Sequence, residues 1–256
     1  MRDGAVATVV LDRAEGMNAL TTAAKEQLLA ALTGVAADDA VRCVVLTGTG
    51  RAFCVGQDLR EHAEVLAAGD VDALWRTVPE HYNPLALTLA TMPKPVVAAV
   101  NGVAAGAGAS LAMACDLRLV ARGAGFNLAF TAIGLSADTG STFWLQRLVG
   151  AGRALDLLLR PRTVRAQEAL EIGLATEVVA DEELPERAAA VAAGLAEGPT
   201  LAYAAVRRAV LFSATHDLPA SLEHEAGLMA STGSTRDHAD AVRSFLAKEK
   251  PVFHAR

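Results

Sequence analysis

Aromatic side chains are scarce in this chain: Phe, Trp and Tyr together make up 4% of its 256 residues. That excludes the interleaved stacking platforms on which single-stranded nucleic acids are held. Basic runs are missing as well, and the net charge is -6, so no surface field favours a polyanion or an acidic membrane face. The cysteines, Cys43, Cys54 and Cys115, form an odd, scattered set without metal-ligand spacing. Reduced, buried thiols in a cytoplasmic protein are the expectation. No window approaches a membrane span without a charge or glycine interruption, and the first ten residues lack the apolar stretch of a signal peptide. Several motifs are also absent: a Gly-Lys-Ser/Thr phosphate loop, a Gly-x-Ser-x-Gly elbow, and a His-Glu-x-x-His pair. An anionic ligand must therefore be met by local arginines or by backbone N–H groups.

What is present is apolar: 52% hydrophobic against 20% charged, enough for a sizeable core. Val6–Leu11 reads as a first strand, and Thr21 caps an amphipathic helix running to about Val35. Residues 41–47 and 95–100 are β-branched apolar runs, the pattern of strands buried on both faces. A helix starts at Asp58, a second helical stretch covers 71–90, and Pro93-Lys94-Pro95 stops it. Residues 106–114 form a small-residue helix and 117–120 a short strand. Strand, glycine turn and helix recur three times, which is α/β logic with mostly parallel strands. From Ser141 onward the chain reads as helices over 141–149, 151–160, 166–172, 181–197, 199–213, 217–231 and 235–248. Gly198-Pro199 divides a core of residues 1–197 from a helical part, 198–256, whose apolar helices need a partner surface.

Two glycine turns carry the first chemical signal. Asp58 and Glu61 have the spacing of a capping box, so Asp58 is the expected N-cap of its helix. A cap there leaves the N–H of Gln57 exposed just before the helix, and Gly56 permits close approach of a ligand or second backbone. In the second turn, 101–112, a buried strand meets a helix, where unpaired N–H groups and the positive dipole end converge on Ala107. Such a terminus stabilises an anion or oxyanion, or simply packs small residues closely; both readings stand. A dinucleotide fingerprint fails because Leu111 stands where a third glycine is needed.

Four segments together resemble the crotonase, or enoyl-CoA hydratase/isomerase, superfamily. They are 11–20 (Leu-Asp-Arg-Ala-Glu-Gly-Met-Asn-Ala-Leu), 44–59, 94–108 and 111–116, and their order and spacing are specific. The resemblance implies an α/β fold, a crotonase-like spiral of ββα turns with a helical C-terminal region that builds a homo-trimer or dimer of trimers. It implies an acyl-CoA substrate, with coenzyme A part of that substrate and no separate cofactor or metal. The oxyanion donors by this resemblance are the N–H groups of Gln57 and Ala107, the latter usually glycine in the family. Asn18, Ala19, Leu20, Val55, Gln57, Asp58, Leu59 and Arg60 would line the coenzyme A site; Arg60 either meets a phosphate or is a solvated helix residue.

Family hydratases use two glutamates, and the matching positions here are Ser110 and Phe130, neither able to act as a carboxylate. Asp138 stands in the segment where several family isomerases carry a catalytic aspartate. It also directly precedes a helix, so N-cap and base are both open readings. Among Ile133, Leu135 and Phe143, its carboxyl is expected to be poorly solvated and its pKa raised. Trp75, Tyr82, Leu85, Phe130 and Phe143 are acyl-pocket candidates or generic core, with Trp75 and Tyr82 expected on one helix face. A dehalogenase-like water activation would need a histidine where Asn83 stands, near His81. The expectation is an enoyl-CoA isomerase, or an isomerase of a cyclic acyl-CoA, using Asp138; the alternatives are an atypical hydratase and a non-catalytic acyl-CoA-binding protein.

Overall fold

The β-branched runs assemble into one long sheet because both of their faces find apolar cover. The computed structural model describes residues 1–255. The edge strand β1 (Arg2–Asp3) is antiparallel to β2 (Val6–Leu11). Beyond it, β3 (Cys43–Gly48), β5 (Val96–Val100), β7 (Leu117–Ala121) and β10 (Glu177–Val179) follow in parallel. All five residues of β5 are buried, which explains a continuous apolar run without alternation. A second sheet contains β4 (Ala52–Cys54), β6 (Val103–Ala105) and β8 (Gly125–Asn127) in parallel, and β9 (Val164–Arg165) antiparallel to β8. These strands of two or three residues are too short to print a period in the sequence.

The helices complete three ββα turns. After α1 (Thr22–Ala37), the turn β3–β4 leads to α2 (Leu59–Ala67). The stretch expected as one helix over 71–90 is α3 (Val71–Thr77), a π-helical turn over Val78–Tyr82, and α4 (Asn83–Thr91). The second turn, β5–β6, ends in α5 (Ala107–Ala114), buried along its whole length. The third, β7–β8, leads to α6 (Ser141–Val149), α7 (Ala151–Leu159) and α8 (Ala166–Glu171). The spiral expected from the resemblance is therefore present.

Next, α9 (Leu184–Glu197) packs on the long sheet, and the chain bends by 102° at Gly198-Pro199 into α10 (Thr200–Ser213), α11 (Leu218–Gly233) and α12 (Arg236–Ala247). Two arginines fasten this region to the core. Arg207 on α10 pairs with Asp116 at 2.7 Å and donates to the carbonyls of Leu89 and Met92 at the end of α4. Arg42 donates to Thr200 Oγ1, Gly198 O and Phe253 O. All three cysteines are buried and unpaired, as expected.

Turns one and two of the spiral touch through backbone. A Cβ on Gly108 in α5 would sit 2.1 Å from the carbonyl oxygen of Cys54 in β4, a distance that only glycine permits. Gly108→Ala is therefore expected to cost about 1–3 kcal/mol of stability by forcing backbone apart. Gly34→Ala, in α1 with open space around it, is expected to stabilise by about 0.5–1 kcal/mol. Urea denaturation of the two variants should give shifts of opposite sign.

Candidate active site

Two loops form the donor side. Asp58 accepts from Arg60 N at 3.0 Å and Glu61 N at 3.3 Å, so it is the N-cap of α2. Burial works to raise its pKa, but Arg13 Nη1 at 3.0 Å and the two helix N–H groups hold it below the ordinary carboxylate range. The capping-box partner behaves differently: Glu61 accepts from Thr22 N and Thr22 Oγ1 and so caps the start of α1 instead. Just before the cap, Leu20 N donates to Gly56 O and Asp58 N donates to Leu20 O. In this parallel bridge the N–H of the intervening Gln57 is turned away from Leu20. Gly56 has φ +83°, and a Cβ there would lie 2.9 Å from Ala105 O and 3.1 Å from Ala107 N. The Gln57 turn thus lies directly against the start of α5. Ala107 is the first residue of that helix, and Gly106 before it supplies no side-chain cap. Two backbone donors on neighbouring turns, one at a helix N-terminus, can polarise a carbonyl oxygen between them.

The acid–base side centres on the segment before α6. Thr139 Oγ1 donates to Asp138 Oδ1 at 2.8 Å, while Ser141 N and Ser141 Oγ donate to the Asp138 backbone carbonyl. Gly140, not Asp138, is the N-cap residue of α6, and no side chain caps that helix. The cap reading of Asp138 is therefore overturned. Thr139 at φ +54° and Gly140 at φ +77° are both left-handed, which swings the carboxylate off the helix axis. Burial pushes the Asp138 pKa up, opposed by the Thr139 bond and by the charge of Lys25. Ser110, buried on α5, lies 2.5 Å from Ser141 Oγ and within bonding distance of Gly106 O; with Ser141 Oγ near Asp138 O, the two hydroxyl protons serve two of these three contacts.

Lys25 is a buried neighbour of the Gln57 turn that the sequence reading missed. It is 1% exposed, and its Nζ donates to Gln57 Oε1 at 3.1 Å and to Thr77 Oγ1 at 2.5 Å. Tyr82, equally buried, donates its hydroxyl to the same Gln57 Oε1 at 2.6 Å. The charge of Asp138 reaches both Lys25 and Tyr82: it favours the charged lysine and disfavours an ionised tyrosine. A signal existed: Lys25 shares the buried face of α1 with Leu28 and Leu32 at helical spacing.

Comparison with known proteins now decides the family. The family model described as "Enoyl-CoA hydratase/isomerase" matches residues 1–256. The chain belongs to the enoyl-CoA hydratase/isomerase family. A Rhodobacter capsulatus protein named "Probable enoyl-CoA hydratase" is 43% identical over 98% of this chain and 95% of its own length. The "1,2-epoxyphenylacetyl-CoA isomerase" of Escherichia coli is 40% identical over 97% of this chain and 94% of its own. The solved structure of a "putative Enoyl-CoA hydratase/isomerase" from Mycobacterium abscessus superposes with a TM-score of 0.94 at 44% identity, covering 98% of this chain and 96% of that one.

Within this enoyl-CoA hydratase/isomerase chain, the other expected site residues separate. Asn18 is 2% exposed; its amide donates to Thr49 O and Ala52 O and its oxygen accepts from Arg13 N, so its side chain braces the loop rather than facing a ligand. Ala19 and Leu20 are buried beside it, Val55 is half-buried, and Leu59 and Arg60 are exposed on the first turn of α2. Phe130 is buried, its ring 4.0 Å from where a Cβ on Gly106 would lie, hence against the α5 terminus. Trp75 and Tyr82 do not share a face. The π turn between them breaks the 3.6-residue period, leaving Trp75 44% exposed with its ring edge-on to His62. Phe143 points elsewhere: Arg147 stacks on its ring, and it lines a cavity with Pro95, Cys115 and Arg207. Of the neighbours the sequence suggested for Asp138, Ile133 is 54% exposed, while Leu135 and Phe143 are half-buried. His81 meets Thr77 Oγ1 at 3.1 Å, and Asn83 is exposed. A cavity of about 990 Å³ lies between the long sheet, α9 and residues 250–253, and includes none of Gln57, Ala107 or Asp138.

A raised folded-state pKa at Asp138 means that the native state holds its proton more tightly than the unfolded chain does. Stability from this group is thus full below the ordinary carboxyl pKa of about 4 and falls as pH rises through the folded value. Asp138→Asn removes that penalty. Its melting temperature is expected to exceed that of the unaltered protein at pH 7 and to match it near pH 3.5–4; scanning calorimetry across this range checks the sign.

Proposed function

We propose that this chain moves a double bond in an enoyl-CoA, or isomerises a cyclic acyl-CoA, with Asp138 as the base. The observation that carries the reading is the uneven supply of carboxylates around the two donor turns. Ser110 is buried and bonded to Ser141, Phe130 is a hydrocarbon ring against α5, and Asp138 is a carboxylate whose charge reaches Lys25 and Tyr82. One carboxylate suffices for a 1,3-proton shift. Asp138 takes the proton from C2 of a 3-enoyl thioester, and the charge spreads onto the thioester oxygen between the N–H groups of Gln57 and Ala107. The protonated carboxyl then returns that proton to C4, and the double bond comes to rest between C2 and C3. A raised carboxyl pKa suits this exchange, since a stronger base abstracts carbon-bound protons more readily.

Relatives support the class of reaction. One is the 1,2-epoxyphenylacetyl-CoA isomerase already described, and another is a Streptococcus mutans protein named "Trans-2-decenoyl-[acyl-carrier-protein] isomerase", 32% identical over 98% of this chain. The Rhodobacter relative's name supports hydration as a second reading. We further propose that coenzyme A enters as part of the substrate with no separate cofactor, and that the protein works in the cytoplasm. A trimer or dimer of trimers is the proposed assembly. It is supported by apolar side chains that α10–α12 leave uncovered, such as Val210 (67% exposed), Met229 (73%) and Phe245 (81%).

The test is a paired assay of 3-enoyl-CoA isomerisation and crotonyl-CoA hydration. Asp138→Asn is expected to lower isomerisation by about 10²–10⁴-fold while acyl-CoA binding persists. Full activity in that variant would remove Asp138 as base. Hydration faster than isomerisation in the unaltered protein would establish the second reading, and tight binding without turnover would mark a non-catalytic acyl-CoA-binding protein.

A further inference from the structure

A buried lysine needs acceptors for its ammonium, and the two it finds here belong to different elements. Lys25 leaves α1, bonds the side-chain oxygen of Gln57 just before α2, and bonds Thr77 at the last residue of α3. Tyr82, closing the π turn, delivers its hydroxyl to the same Gln57 oxygen, and the Lys25 ammonium lies 5.0 Å from its ring centroid. Gln57 Oε1 is thereby held from two sides, and with it the backbone whose N–H forms half of the donor pair. The bridge to Leu20 braces the backbone on either side of Gln57, while its side chain has little other support: the Nε2 contact with Asp58 O is long, at 3.4 Å.

We propose that Lys25 is a positioning residue for the thioester site: its buried ammonium fixes Gln57, and so the first oxyanion donor. The π turn has a specific part in this. A continuous α-helix over 71–90 would place Tyr82 close to the face of Trp75; the wider turn brings its hydroxyl to Gln57. The charged and titratable groups around Lys25 are Glu26 on its own helix, Glu61 on α2, Tyr82 on the π turn and Asp138 before α6. His81 reaches it only through Thr77 and stands 4.0 Å from Glu26. Burial lowers the Lys25 pKa, and the three carboxylates counter that by favouring the charged form. Around Asp138 the charge works in return: Lys25 opposes the burial that raises the carboxyl pKa.

This inference rests on the oxyanion-hole reading of Gln57 and, for its pH effect, on Asp138 as base. The experiment therefore separates them. The first readout is the carbonyl stretch of a bound isotope-labelled acyl-CoA, measured by difference infrared spectroscopy, which reports polarisation whatever the base. The second is the pH profile of kcat/KM for isomerisation. Lys25→Met is expected to lose most of the carbonyl red shift and to lower kcat by about 100-fold, the scale of a 1 Å misplacement, with KM changed less than about 3-fold. Its acid limb should move to higher pH, because Asp138 loses a favourable charge. Lys25→Gln, which retains a donor for Gln57 but no charge, should keep much of the red shift and show the same move of the acid limb. It also serves if Lys25→Met does not fold. Asp138→Asn should keep the red shift while losing turnover; full turnover there defeats the base assignment but leaves the carbonyl result to judge Lys25. An unaltered carbonyl stretch in a folded Lys25→Met protein, or a loss of kcat and binding in equal measure, overturns the proposal.

Discussion

The site depends on two backbones lying against each other without intervening side chains. Gly56 rests on the Ala105–Ala107 turn, and Gly108 rests on the carbonyl of Cys54. These contacts join successive turns of the spiral at the point where each changes from its short strand to its helix. As main-chain N–H groups, the proposed donors take their spacing first from the packing of the spiral, and the side-chain bonds to Gln57 Oε1 hold the first of them within it. An alanine at 107 is tolerable for that reason: the methyl alters the wall of the site and leaves the donor in place. Catalytic power of this kind comes from dipoles that need not reorganise when charge develops.

Electrostatics adds a second layer. Asp58, Lys25 and Asp138 are all drawn away from water, yet each is handled differently. Asp58 has Arg13 and a helix terminus, and its charge is stabilised. Lys25 has neutral oxygens for contact and carboxylates at longer range, so burial prevails. Asp138 has one hydroxyl and a distant ammonium, and its carboxyl is left the most disposed to accept a proton. The same three residue types on an exposed surface would carry no such differences.

Much of the fold was legible because long apolar strands and capped helices print strong periods, as in Val6–Leu11, Val96–Val100 and the helix opened by Asp58. The second sheet was not legible from pattern, since three residues cannot show alternation; it entered through the resemblance alone. The donor turns were legible from glycine placement and from Asp58. What failed was side-chain direction. Trp75 and Phe143 were pocket candidates or core, Trp75 by its spacing from Tyr82, but a π turn and a cavity lined by Phe143, Pro95 and Arg207 direct them elsewhere. Lys25 was passed over because a lysine in an amphipathic helix is ordinarily solvated. Its alignment with Leu28 and Leu32 was the exception to notice.

Thr139 carries a consequence for the history of such a protein. A β-branched residue held left-handed costs every folded molecule about 1–2 kcal/mol that glycine would not. Any lineage selected only for persistence, by heat or by proteolysis, is thus drawn toward glycine at this position, and the hydroxyl that holds Asp138 Oδ1 would be lost on the way. Durability and chemistry pull against each other at a single residue, one step along the chain from the carboxylate.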